Sequence, residues 1–215
     1  MIFIYNLEIL NHVFSNTETK LLNFLSNNRK QKVLSYYFEA DRLLSLYSAL
    51  LTRMCLNVIT GIPHKELTFT YTQFGKPYLN NCNTFFNISH TKNCILLAIS
   101  TDAEIGADIE NLQTTPPYNI IDEVFHPAEI EFIYQTQPSF QAKFYEIWTR
   151  KESYLKWLGT GLTSNIKNLN SLNLSGHFHI YKYNTYINSI YCSYYNKINK
   201  QTILQEDILH HYLEI

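Results

Sequence analysis

Apolar residues return along this chain at two spacings, and the spacing decides the element. Residues 2–9, mostly apolar, predict a strand, and residues 17–25 predict a short helix. Ser26-Asn27-Asn28 then supplies N-cap chemistry ahead of Arg29. Over residues 41–59, Leu43, Tyr47, Leu50, Met54 and Val58 recur at three- and four-residue steps. That period predicts a longer helix with one buried stripe, stopped by Gly61-Ile62-Pro63. Short strands are expected over 67–71, 85–88, 94–100 and 105–109. Residues 111–118, with Pro116-Pro117, read as a loop or linker. Pro127 suits the first turn of a further helix. A strong helix is predicted over 139–158, with Phe140, Phe144, Ile147, Trp148, Tyr154, Leu155 and Leu158 on or near one face. Gly159 and Gly161 end it. Residues 177–203 read as strands rich in Tyr and Ile. Each half shows helices followed by strands, so the fold class is α+β.

Composition narrows the picture. The 215 residues are 46% hydrophobic and 16% charged, which makes a globular chain with a sizeable core. The formal net charge is -1, so no global field draws in nucleic acid, and an anionic ligand must be held by a local cluster. The apolar runs read as too short to span a bilayer. The first ten residues carry Glu8 and no basic flank, unlike a signal peptide. Cys55, Cys82, Cys94 and Cys192 are scattered, with no zinc spacing among them. The expectation is a reduced, cytoplasmic protein with no membrane or nucleic-acid partner.

Four pieces could carry chemistry. In Ile105-Gly106-Ala107-Asp108-Ile109-Glu110, strand alternation projects Asp108 and Glu110 together while Ala107 and Ile109 face a core. Two carboxylates on one face suit a hard cation such as Mg²⁺ or Mn²⁺, or they are merely solvated acids. In Trp148-Thr149-Arg150-Lys151-Glu152-Ser153-Tyr154-Leu155-Lys156, Glu152 and Lys156 share a helix face. They form either an ordinary helical ion pair or a third carboxylate beside a phosphate-binding lysine. Phe85 to Thr91 reads as a strand running into a polar turn that holds Ser89, His90 and Thr91. No G-x-S-x-G elbow surrounds Ser89. Gly75-Lys76-Pro77 is a turn that holds one lysine rigidly, without P-loop glycine spacing.

Taken in order, Gly75-Lys76-Pro77, Asn87-Ile88-Ser89-His90, Gly106-x-Asp108-x-Glu110 and Trp148-x-x-Lys151-Glu152-x-x-x-Lys156 resemble the Sfp-type 4'-phosphopantetheinyl transferases. The likeness runs from about Ser26 to Gly161, and Gly159-Thr160-Gly161-Leu162 belongs to it. It implies a pseudo-twofold pair of α/β subdomains, 1–104 and 105–215, with coenzyme A in the cleft between them. It implies Mg²⁺ held by Asp108, Glu110 and Glu152, with Glu152 as proton acceptor and Lys156 neutralising phosphate. It also implies coenzyme A contacts from Arg29, Lys32, Lys76, Pro77, Ser89, His90, Asp108 and Lys156. A family arginine a few residues after Asp41 falls here on Leu44 or its neighbours, and Arg42 is the candidate to compensate. The implied reaction moves phosphopantetheine from coenzyme A to a serine of an acyl or peptidyl carrier protein, by a monomeric enzyme. A Mg²⁺-dependent phosphohydrolase and an inactive carrier- or nucleotide-binding module are the alternatives.

Overall fold

A computed structural model of the chain describes residues 1–135, 140–161, 165–194 and 197–214. The first strand is β1 (Ile2–Glu8). Ser15 and Glu18 form a capping box that starts α1 (Asn16–Leu21), which tightens into a 3₁₀ turn over Leu22–Phe24. Ser26 caps α2 (Asn27–Ser35), its hydroxyl oxygen accepting from the Arg29 amide. The 22-residue α3 (Glu39–Thr60) ends at Gly61, whose φ of 72° lies in the left-handed region. Leu43, Tyr47, Leu50 and Met54 are buried as the periodicity predicts, but Val58 is 71% exposed, and in the last turn it is Ile59 that packs against the core. The expectation that no apolar run is long enough for a bilayer is corrected here. By length and composition α3 could cross one, but most of it is buried in the protein as a core helix.

The hairpin of β2 (Phe69–Tyr71) and β3 (Pro77–Leu79) closes around Gly75. Next come β4 (Phe85–Thr91) and β5 (Cys94–Ser100), antiparallel along their whole length. The expected polar turn at Ser89-His90-Thr91 is therefore wrong: these residues continue the strand opposite Leu96, Ile95 and Cys94. Every residue of β5 is buried, so its backbone groups need a partner to the last residue. The strand β6 (Ile105–Asn111) runs through Asn111, so the expected loop starts later. Three helices follow: α4 (Ile121–Val124), α5 (Pro127–Gln135) and α6 (Phe140–Leu158). Ser139 and Leu162, named in the sequence reading, lie outside the described residues. The chain closes with β7 (His177–Tyr183), β8 (Tyr186–Cys192), β9 (Ile198–Ile203) and α7 (Gln205–Leu213), the last not foreseen.

Two sheets stack between the two long helices. One has the order β4-β5-β1-β9 and the other β6-β8-β7. In β1 and β5, alternation sends Tyr5, Leu7, Ile95, Leu97 and Ile99 into a core with α3. The opposite faces send Ile2, Ile4, Leu96 and Ala98 into a seam with Ile105, Ala107, Ile109 and Ile190 of the second sheet. A third core joins α4, α5 and α6 to Ile187. The line at Ile105 is crossed by the end of the chain, where β9 pairs in parallel with β1. Polar groups register the seam: the Ala107 amide donates to Asn87 Oδ1 at 3.0 Å, and Asn6 Nδ2 donates to Asn188 Oδ1 at 3.0 Å.

Candidate active site

Alternation within β4 and β6 builds the site. Phe86, Ile88 and His90 of β4 face one cavity, while Asn87, Ser89 and Thr91 face β6. On β6 the residues opposite Ala107 and Ile109 are Gly106, Asp108 and Glu110, and they meet α6. Gly106 permits the approach: a Cβ there would lie 1.9 Å from the Ser153 carbonyl oxygen and 2.5 Å from the Trp157 amide nitrogen. A hydroxyl pair, Ser153 with Ser189 at 2.9 Å, fixes α6 on β8.

Asp108 lies at the centre of this cluster and is buried. Its Oδ1 accepts from Ser89 Oγ at 2.9 Å and from the Lys156 ammonium. Lys156 also donates to Ser89 Oγ at 2.8 Å. Glu110 accepts from Thr91 Oγ1 at 3.3 Å and from Trp148 Nε1 at 3.1 Å. Glu152, one turn before Lys156, has a buried Oε1 without a partner, and Asp108 Oδ2 is likewise unpartnered. Burial first, and the Asp108 charge second, push both Glu110 and Glu152 up to about 7. Among the described residues, no three acidic, His or Cys side chains close to metal-ligating spacing. Three carboxylates repel, and Lys156 brings a positive charge into contact with Asp108. The donor chemistry, though not the spacing, is the kind a hard cation takes. All its donors are oxygens, two of them buried without a partner, and two of its carboxyls hold protons more tightly than exposed ones.

Of the cluster, Glu152 and Lys156 line a space of about 360 Å³, together with Gly75, Lys76, Asn87 and Gly159. Gly75, Pro77 and Ile88 also line a neighbouring cavity of about 300 Å³, so the two adjoin. Arg29, Lys32, Arg53 and His90 bring positive or protonatable groups to that second cavity, and Phe69, Tyr71 and Phe86 give it aromatic surface.

The sequence-predicted residues therefore divide into two groups. Arg29, Lys32 and His90 gather at the cationic cavity, with Pro77 on the shared wall. Ser89, Asp108, Glu110, Glu152 and Lys156 gather at the acidic end. Ser89 and His90 do not converge, because a strand separates neighbours. Lys76 is buried, paired with Glu104 at 2.6 Å and donating to the Trp157 carbonyl at 3.0 Å, so it ties β3 to α6. Arg42, the candidate to compensate, donates from Nε to the Tyr36 carbonyl at 2.8 Å and is not among the residues that line the cationic cavity. The sequence reading missed Arg53, which lies on α3 and stacks over Phe69 at 5.3 Å. Lys151 is fully buried on Glu129 at 2.5 Å, and Glu129 also accepts from the His126 and Ser171 amides. That pair secures α5 and the 169–171 segment to α6 rather than reaching the cleft.

These features define an α+β protein in which a cationic cavity adjoins a space lined by Glu152 and Lys156. A family model described as the 4'-phosphopantetheinyl transferase superfamily matches residues 104–206. A second, described as 4'-phosphopantetheinyl transferase, N-terminal, matches residues 15–102. The chain belongs to the 4'-phosphopantetheinyl transferase superfamily and is of Sfp type. It is 35% identical over 160 residues to the 4'-phosphopantetheinyl transferase gsp of Aneurinibacillus migulanus, covering 72% of this chain and 63% of the relative. It is 26% identical over 147 residues to the 4'-phosphopantetheinyl transferase Sfp of Bacillus subtilis (strain 168), covering 67% and 64%. It is 31% identical over 137 residues to the L-aminoadipate-semialdehyde dehydrogenase-phosphopantetheinyl transferase of Saccharomyces cerevisiae (strain ATCC 204508 / S288c), covering 59% and 50%. The matches to these three span less than two thirds of each relative's own length.

Proposed function

We propose that this protein transfers the 4'-phosphopantetheine moiety of coenzyme A to a serine of an apo acyl or peptidyl carrier protein. One observation carries the reading: a cationic cavity adjoins a buried acidic cluster with two unpartnered carboxylate oxygens, in a chain of this superfamily. Arg29, Lys32 and His90 hold the nucleotide end of coenzyme A, which places its pyrophosphate toward Lys156. The carrier serine oxygen bonds to the β-phosphorus as the bond to the bridging oxygen breaks, and 3',5'-ADP leaves. Glu152 takes the serine proton directly or through water. The Lys156 ammonium neutralises charge on the phosphate oxygens. Asp108, Glu110 and Glu152 would hold Mg²⁺, which when bound supplies charge neutralisation on the pyrophosphate. The four free thiols, three of them buried, support a reducing cytoplasmic setting.

The test is incubation with coenzyme A, Mg²⁺ and a panel of apo-carriers, read by intact mass. The expected result is one phosphopantetheinyl group per carrier, abolished by EDTA and restored by Mg²⁺ or Mn²⁺. Residues from both halves of one chain line the space beside Lys156, which supports a monomer, so the specific rate should stay constant as enzyme is diluted. Free phosphopantetheine released without a carrier would mean hydrolysis instead. Undiminished transfer in EDTA would remove the metal from the reading.

A further inference from the structure

A buried ammonium caps the C-terminal end of α6, and the turn it caps carries Lys156. Lys76 is 6% exposed, and its Nζ donates to Glu104 Oε2 at 2.6 Å and to the Trp157 carbonyl at 3.0 Å. The Tyr78 ring lies 5.4 Å from the same Nζ. Burial lowers the pKa of this lysine, and Glu104 opposes that shift through its hydrogen bond and its charge. Trp157 is the second-last residue of α6, so its carbonyl has no partner inside the helix. Lys76 reaches it from β3, and a cation is favoured at that end of a helix. Gly159, with a φ of 70°, leaves the room: a Cβ there would lie 3.3 Å from Lys76 Cδ. Immediately before Trp157 comes Lys156, whose ammonium meets Asp108 and Ser89. Glu104 is half-buried and stands just ahead of β6.

We infer that Glu104 is a positioning residue for the transfer reaction: it anchors Lys76 on the Trp157 carbonyl and so fixes the last turn of α6, which presents Lys156 to the phosphate. The inference rests on the transferase reading and deepens it. Glu104 acts only through Lys76. A buried ammonium stays in place only while it is paired. Without Glu104, Lys76 must move toward water or toward Glu152, which lines the same space. Either move uncaps α6, and the turn that holds Lys156 loses its fixed end. Neither Lys76 nor Glu104 lines the cationic cavity, so nucleotide binding there does not depend on the pair.

The test compares the wild type with Glu104→Ala, Glu104→Gln, Lys76→Met and the double variant Lys76→Met/Glu104→Gln. Three quantities are read: kcat for carrier modification, calorimetric affinity for 3',5'-ADP, and amide hydrogen exchange along α6. In Glu104→Ala, kcat should fall by about 10–100-fold, the size of an ångström-scale misplacement. Affinity for 3',5'-ADP should be unchanged. Exchange should quicken at the Gly159 amide, which donates to the Leu155 carbonyl at 2.9 Å, and not at the middle of α6. Glu104→Gln keeps an acceptor oxygen and should show the same pattern at smaller size. The double variant should lose no more kcat than Lys76→Met alone, since both residues act through one contact. Unchanged kcat in Glu104→Ala, or additive losses in the double variant, would overturn the inference. So would exchange that quickens evenly over the whole helix, as it would for a pair that only stabilises the fold. A wild type that modifies no carrier would instead remove the transferase reading, while the exchange pattern, which needs no carrier, still decides whether Glu104 anchors the turn.

Discussion

Glu152 is where one side chain can be tested hardest. Its Oε1 is buried and unpartnered, and the Asp108 charge adds to burial in holding its proton. Glu152→Gln keeps the shape but cannot accept a proton. The kcat at saturating coenzyme A and Mg²⁺ should fall by about 10²–10⁴. Part of the loss should respond to added Mg²⁺, because the residue also sits in the cation's donor set. The fold should survive, since a neutral amide relieves repulsion with Asp108; thermal melting checks this. A normal kcat would remove Glu152 as the base and leave the substrate phosphate to take the proton. At this scale Asp108 and Glu110 were legible because a two-residue period in a strand fixes a shared face. Arg53 was not, because nothing in its linear neighbourhood says which face of α3 meets a cavity. Ser89 and His90 were read as partners in a turn, and strand geometry puts them on opposite sides.

The decisive pairing of elements is β6 against α6. Gly106 lets the two backbones meet, and that contact brings Asp108 and Glu110 up to Glu152 and Lys156. Gly106→Ala would force a methyl group onto the Ser153 carbonyl and the Trp157 amide, both backbone and neither able to swing aside. The expected loss is about 3 kcal/mol or more, at the upper end for overpacking. Activity should fall further than the residual folded fraction explains, because strand and helix must part. Gly61→Ala is the control. It has open space but a φ of 72°, so about 1 kcal/mol should be lost without damage to the site. Urea titrations with a parallel rate measurement separate the two cases. The long helices α3 and α6 were visible in sequence because their apolar residues hold a helical period over many turns. Helix α7 was not, since it is short and its apolar residues lie among Glu206, Asp207, His210 and His211. The hairpin strands β2 and β3, at three residues each, are too short for a period to show.

At the scale of the molecule, the end of the chain returns to its beginning. Helix α7 packs on α3, the Tyr212 hydroxyl donates to the Leu50 carbonyl at 2.9 Å, and the ring nitrogens of His64 and His211 meet at 2.8 Å. Burial lowers the pKa of both histidines. His211 adds to the effect on His64, and His210 to that on His211. A histidine whose folded pKa is depressed binds fewer protons than the unfolded chain. Stability should therefore be full above the ordinary histidine pKa of about 6.5 and fall as pH drops through it toward the folded values. Urea midpoints at about pH 7.5 and about pH 5.5 should show the drop, and His211→Gln should flatten it; an unchanged slope would assign it to other groups. The parallel pairing of Ile2 with Ile198, continued to Leu7 with Ile203, has a consequence for biosynthesis. β1 lies between β5 and β9, so one of its edges has no partner until residues 198–203 have been translated. Contacts of such long sequence separation form slowly, and a bare strand edge is what neighbouring nascent chains can pair with. β1 thus waits for β9 to be made, and during that interval its open edge is exposed to such pairing.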